Sequence, residues 1–109
     1  MTDRELLELA AKAAGYEVRW HENWQCLVHE GPHNTDTPAT LAGQRLVWVP
    51  LTDDGDALRL AVSTGVMQGR GFDNAWNAMF AVGKLPKDKF EATRRAIVRA
   101  AAEIGRAMT

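Results

Sequence analysis

The stretch from Pro86 to Met108, PKDKFEATRRAIVRAAAEIGRAM, constrains this chain more than any other. Phe90, Thr93, Ile97, Ala100, Ala101 and Ile104 recur at i, i+3/i+4 spacing, which one face of a helix collects into a stripe. Pro86 suits a first turn. Asp88 and Glu91 lie early, where the positive end of the helix dipole favours them. Glu91 precedes Arg95 by four residues, a supporting ion-pair spacing. In a chain of 109 residues this helix is the best-marked element. That length suits one domain over 1–109, able to bury roughly 60–70% of the surface its unfolded form exposes.

The other elements are shorter. Thr2 and Glu5 form a T-x-x-E capping box, and Leu6, Leu7, Ala10, Ala13 and Ala14 share a side. Gly15 can stop that helix, which is expected over 3–14. Tyr16, Val18 and Trp20 then alternate with Glu17 and Arg19, and Trp24, Cys26 and Val28 with Gln25 and Leu27. Period two over both runs argues for a hairpin turning at His21, Glu22 and Asn23, with Trp20 and Trp24 on the core-facing side. EGPHNTDTPATLAGQ, 30–44, has no periodicity and reads as a long loop. RLVWV, 45–49, is a third strand with Trp48 in the core, ended by Pro50. A helix begins in TDDGD and runs to about Ser63, with Leu58, Ala61 and Val62 as its stripe and Gly65 as its stop. Over 73–83 a short helix is favoured, capped by Asp73, with Trp76, Met79 and Phe80 on one face. A buried strand at 78–82 is the alternative. The order α-β-β-β-α-(α)-α implies an α+β layered domain, a small antiparallel sheet of two or three strands packed with helices.

TDDGD is the first place to look for chemistry. An EF-type calcium loop needs oxygen ligands at alternate positions and a bidentate Glu at the twelfth. The positions twelfth from Asp53 and Asp54 are Thr64 and Gly65, so the count fails. Helix initiation explains the cluster instead: Asp53 or Asp54 accepts bonds from free N–H groups, and the remaining acids favour the positive helix end. Cys26, His29 and His33 read as C-x2-H-x3-H, looser than the paired ligands of structural zinc sites. No metal is expected. Cys26 lies in strand-like WQCLV, as a buried free thiol. Ser63, in VSTG, lacks the nucleophile-elbow pattern. Gly65 and Gly69 are too close for a Walker loop, and Arg70 and Gly71 stand where Lys and Ser or Thr should follow. No cofactor and no catalytic residue is expected. The remaining enzyme reading is a dispersed site around Asp53, Asp56, His29 or His33.

Thirteen basic and fourteen acidic residues give a net charge of −1, without the basic excess of a nonspecific nucleic-acid binder. Arg95, Arg99 and Arg106 nevertheless project to one side of the last helix. With Asp88 and Glu91 alongside, they form a mixed-charge face, or alternatively a nucleic-acid contact. One cysteine, no signal-peptide pattern and no apolar run approaching the ~20 residues of a membrane span point to a soluble cytoplasmic protein with no membrane partner. Oligomeric state stays open: the alanine-rich helix end serves a dimer interface as well as a core.

WVPLTDDGDALRLAV at 48–62 and EATRRAIVRAAAEIGRAM at 91–108, with the opening MTDRELLELAAKAAGY, resemble a group of small phage and prophage proteins, the phage ABA sandwich domain family. The shared motifs are helix caps and helix stripes. The resemblance therefore implies fold and origin, and brings no catalytic residue with it. It implies a non-enzymatic phage accessory protein that binds another macromolecule, a host or phage protein foremost. Compact phage proteins that block host defences, CRISPR–Cas complexes among them, are the class in view. The expected contact surface is the hairpin tip with the long loop: Trp20, His21, Trp24, His33 and Asn34.

Overall fold

The computed structural model describes residues 2–29, 47–83 and 86–108. Helix α1 spans Asp3–Ala14 and closes its capping box as expected: the Glu5 N–H donates to the Thr2 hydroxyl and the Thr2 N–H to the Glu5 carboxylate. Gly15 ends it in the left-handed region, φ 77°. Strands β1 (Val18–His21), β2 (Cys26–His29) and β3 (Val47–Trp48) form an antiparallel sheet in the order β1-β2-β3. Helix α2 spans Asp54–Thr64, and a 3-10 turn follows at Val66–Gln68. Helix α3 covers Gly71–Ala81 and helix α4 Lys89–Ala107. The architecture is α+β, as the residue pattern predicts. The expected loop over 30–44 lies outside the described residues, and so do Arg45 and Leu46 of the expected third strand.

The hairpin register differs from the expected one. The connection is four residues long, 22–25, with Gln25 at φ 52°. Trp20 therefore pairs with Leu27, and Leu27 with Trp48. Cross-strand partners share a face, and an odd slip flips a whole strand. Leu27 and His29 consequently point inward, His29 packing edge-on against Tyr16 with ring centroids 5.5 Å apart. Cys26 takes the opposite face with Val28, contrary to the alternation expected for β2. In β1 the inward set of Tyr16, Val18 and Trp20 stands as read.

Helix α4 is the central element. Its buried residues are Ala92, Ala96, Ile97, Val98, Ala100, Ala101, Ala102 and Gly105, an arc wider than one stripe because α1, α2 and α3 all pack on it. Two members of the expected stripe, Phe90 and Ile104, are exposed. Asp3 meets Arg95 and Leu9 meets Gly105, so α1 and α4 run in the same direction, held close by small side chains. The helix starts at Lys89 under an Asp88 cap; Pro86 precedes the first turn rather than forming it. Arg95 pairs with Asp3 instead of Glu91.

The shorter helices also turn differently from the expectation. In α2 the buried set is Asp56, Ala57, Leu60 and Ala61, which leaves Leu58 and Val62 in solvent. In α3 the helix, not the strand, is found. It begins before Asp73, which sits in its first turn, and Arg70 at the cap position supplies no capping side chain. Met79 is buried and Phe80 is exposed. The core joins Leu27 and Trp48 of the sheet to Ala10, Leu60, Val98 and Ala101 of three helices.

Candidate binding surfaces

The three aspartates at the start of α2 each have a protein partner. Asp53 is the N-cap, its carboxylate accepting the Asp56 N–H at 2.8 Å. Asp54 accepts Arg94 Nη1 at 2.6 Å, while Arg94 Nε donates to the Leu51 carbonyl at 2.9 Å. Asp56 is 3% exposed. One of its oxygens accepts the Val49 N–H at 2.9 Å and the other Arg59 Nη2 at 2.7 Å. The cluster thus starts a helix and ties it to the chain leaving β3 and to α4. The Asp56 tether was not foreseen, because periodicity assigns an acidic residue to solvent.

Cys26 and His29 fall on opposite faces of β2, three residues apart in a period of two, and cannot converge on one ion. Among the described residues no group of three or more His, Cys, Asp or Glu is placed to hold a metal. Burial raises the Cys26 thiol above its ordinary pKa, the reverse of what an activated nucleophile requires. The Ser63 hydroxyl lies 3.0 Å from the Tyr16 hydroxyl.

At the hairpin tip the expected contact residues separate. Trp20 packs against the core, and the Arg4 guanidinium lies 4.7 Å from its ring centroid. Trp24 is 54% exposed and stacks on His21 with centroids 4.2 Å apart, while its backbone N–H donates to His21 Nδ1 at 3.1 Å. Trp24 therefore leaves the core-facing side that the sequence assigned it. His33 and Asn34 lie outside the described residues. Replacing Trp24 with Ala is expected to leave the melting temperature within about 2–4 °C of the parent, as for an exposed side chain, which a thermal denaturation scan measures directly.

Two further surfaces lie among the helices. Between α2 and α4 runs a groove of about 410 Å³, lined chiefly by Ala57, Leu58, Ala61, Met67, Phe90 and Ile97. Leu58 is 64% and Phe90 59% exposed. Lys89 sits at its rim, its ammonium 5.9 Å from the Phe90 ring centroid. Asp54 and Arg94, already paired, lie there too. Hydropathy placed Leu58 and Phe90 in the core because both fall on apolar stripes; the competing stripe of Ala57, Leu60 and Ala61 was the available signal.

The second surface is a cleft of about 680 Å³ between the start of α1, one face of α3 and α4. It collects the three arginines the sequence put on one side, Arg95, Arg99 and Arg106. Arg95 holds Asp3 through two bonds of 3.1 and 3.2 Å, which keep that carboxyl below its usual pKa. Arg106 pairs with Glu103 at 3.3 Å. Asp88 and Glu91 do not line it.

No protein-family model, curated protein or solved structure matches this chain. Among the described residues no helix is long and apolar enough to cross a membrane.

Proposed function

We propose that this chain is a non-enzymatic binding protein of phage or prophage origin, acting by occupying a surface of another protein. The observation that carries the reading is the α2–α4 groove. Large apolar side chains stand in solvent around a concave floor, the arrangement that accepts the apolar face of a partner helix. Lys89 is the rim cation without a carboxylate partner among the described residues, so the fitting occupant has apolar anchors flanked by an acidic residue. Trp24 at the hairpin tip offers a second exposed apolar contact. The phage resemblance of 48–62 and 91–108 supports the origin, and with it a cytoplasmic role against a host or phage protein. A defence complex of the CRISPR–Cas kind is the class of target we favour.

The test is affinity capture from host cells, with proteins identified by mass spectrometry, using the parent chain beside Phe90→Glu. Phe90 is exposed, so the substitution should leave the fold intact while putting a charge on the apolar wall of the groove. Recovery of the captured protein is expected to fall roughly tenfold or more, as for a central interface anchor. Equal recovery by both chains would sink the groove reading. Capture of nucleic acid in place of protein would instead favour the arginine face.

A further inference from the structure

We infer that the cleft between α1, α3 and α4 is a binding site for one phosphoryl group carried by a small molecule. Three arginines face it against two carboxylates, Asp3 and Glu103. Arg95 and Arg106 are engaged by those carboxylates. Arg99 is half-buried in the wall and has no hydrogen-bond or ion-pair partner among the described residues. A guanidinium held in a cleft with its fork open is a ready partner for an oxyanion, which it meets through two parallel bonds.

The rest of the lining agrees with that ligand. Gly71 and Asn74 of α3 face the same space. Asn74 adds a side-chain amide donor. Gly71 opens a helix whose first N–H groups have no capping side chain, so they too favour an anion. Leu6, Ala75 and Ala78 supply an apolar floor, and the volume lies in the range of small-molecule sites, about 300–1,000 Å³. The phosphate therefore needs an uncharged body, as in a mononucleotide.

Charge decides between a small ligand and a strand of nucleic acid. The cleft has one uncompensated positive charge, enough for one phosphate and too little for a polyanion track. On a nucleic-acid strand each neutralised phosphate contributes about 0.7–0.9 to the salt slope of log K by releasing condensed counterions, whereas a single phosphate has none to release and shows only ordinary screening, a shallower dependence. A strand held by three arginines would show a slope near two or three.

The site is tested by following backbone amide shifts of the intact chain on addition of inorganic phosphate, adenosine 5′-monophosphate or a short single-stranded oligonucleotide. Phosphate and the mononucleotide should both give saturable shifts centred on Gly71, Asn74 and Arg99. The mononucleotide should bind more tightly, and the oligonucleotide no more tightly than the mononucleotide. Arg99→Gln is expected to weaken binding at least tenfold. Asn74→Asp, at an exposed position that does not disturb folding, should weaken it comparably by placing a negative charge in the cleft. The proposal is overturned if neither phosphate nor mononucleotide gives a saturable shift at these residues, or if binding survives both substitutions. It is overturned as well if only the oligonucleotide binds, with a slope of several. The apolar groove lies on the other side of α4's stripe, and Phe90→Glu should leave these shifts unchanged.

Discussion

Gly105→Ala is expected to lower the melting temperature by about 10–20 °C. The position lies inside α4, where alanine is favoured over glycine by about 1 kcal/mol on helix propensity alone. Local preference therefore predicts stabilisation. Packing predicts the opposite. A Cβ at residue 105 would lie inside the envelope of the Leu9 carbonyl oxygen and 2.8 Å from its carbon. Those are backbone atoms of α1, so no rotamer change relieves the clash; the helices must separate. Overpacking of a tight core costs typically 1–3 kcal/mol and sometimes more. Separation here would also open the packing of α1, with its buried Ala10 and Ala11, on α4. A net loss of about 2–3 kcal/mol corresponds to the stated shift at about 4–8 °C per kcal/mol for a small domain. Thermal denaturation decides the sign: an unchanged or raised melting temperature would mean that α1 and α4 are not held at this distance.

The second large effect belongs to Asp56. Asp56→Ala should cost about 2–3 kcal/mol, because it removes two charge-assisted hydrogen bonds and leaves the Val49 N–H without its acceptor. Asp56→Asn should cost less, about 1–2 kcal/mol. Its amide oxygen can still accept the Val49 N–H, but its NH2 then faces the Arg59 guanidinium. Arg59→Ala should cost under about 1 kcal/mol, since that side chain is 54% exposed and its pairing is screened by water. Urea denaturation of the three variants measures this order. The same samples address ion binding: if calcium or magnesium raises the stability of the parent chain but not of Asp56→Asn, the aspartates hold a cation and the helix-start account is wrong.

The two effects share a cause that bears on how legible the chain was. Asp53, Asp54 and Asp56 were recognisable as a helix start because capping is local physics, settled within four residues. The same holds for Thr2 with Glu5, for Gly15 and Gly65 as stops, and for the regular spacing along α4. The hairpin was visible as two alternating runs. Its register was not, because a connection of four residues instead of three cannot be read from alternation, and that one residue reversed Leu27 and Cys26.

Burial was legible only where one stripe dominated. In α1 the expected side of Leu6, Leu7, Ala10 and Ala14 does pack on the core, joined by Ala11, which the stripe left out. In α2 and α4 the apolar side and the packed side do not coincide: large residues such as Leu58 and Phe90 lie on stripes that would suit a core, yet alanines were buried in their place. Hydropathy ranks side chains by transfer free energy, whereas helices in close contact select for small volume. The three arginines of α4 were identified together from their angular spacing. Which of them keeps an open fork depended on Asp3, 92 residues away from Arg95, and on Glu103.

The order of the elements, the caps and stops of α1 and α2, and the common side of Arg95, Arg99 and Arg106 were thus determined by the sequence itself, through forces acting within a few residues. The tertiary structure alone decided the hairpin face, the exposed groove beside Phe90, the buried role of Asp56 and the charge left over at Arg99. Each of these depends on which distant backbone or side chain arrives next to it, and neighbours far apart in the chain leave no periodic trace.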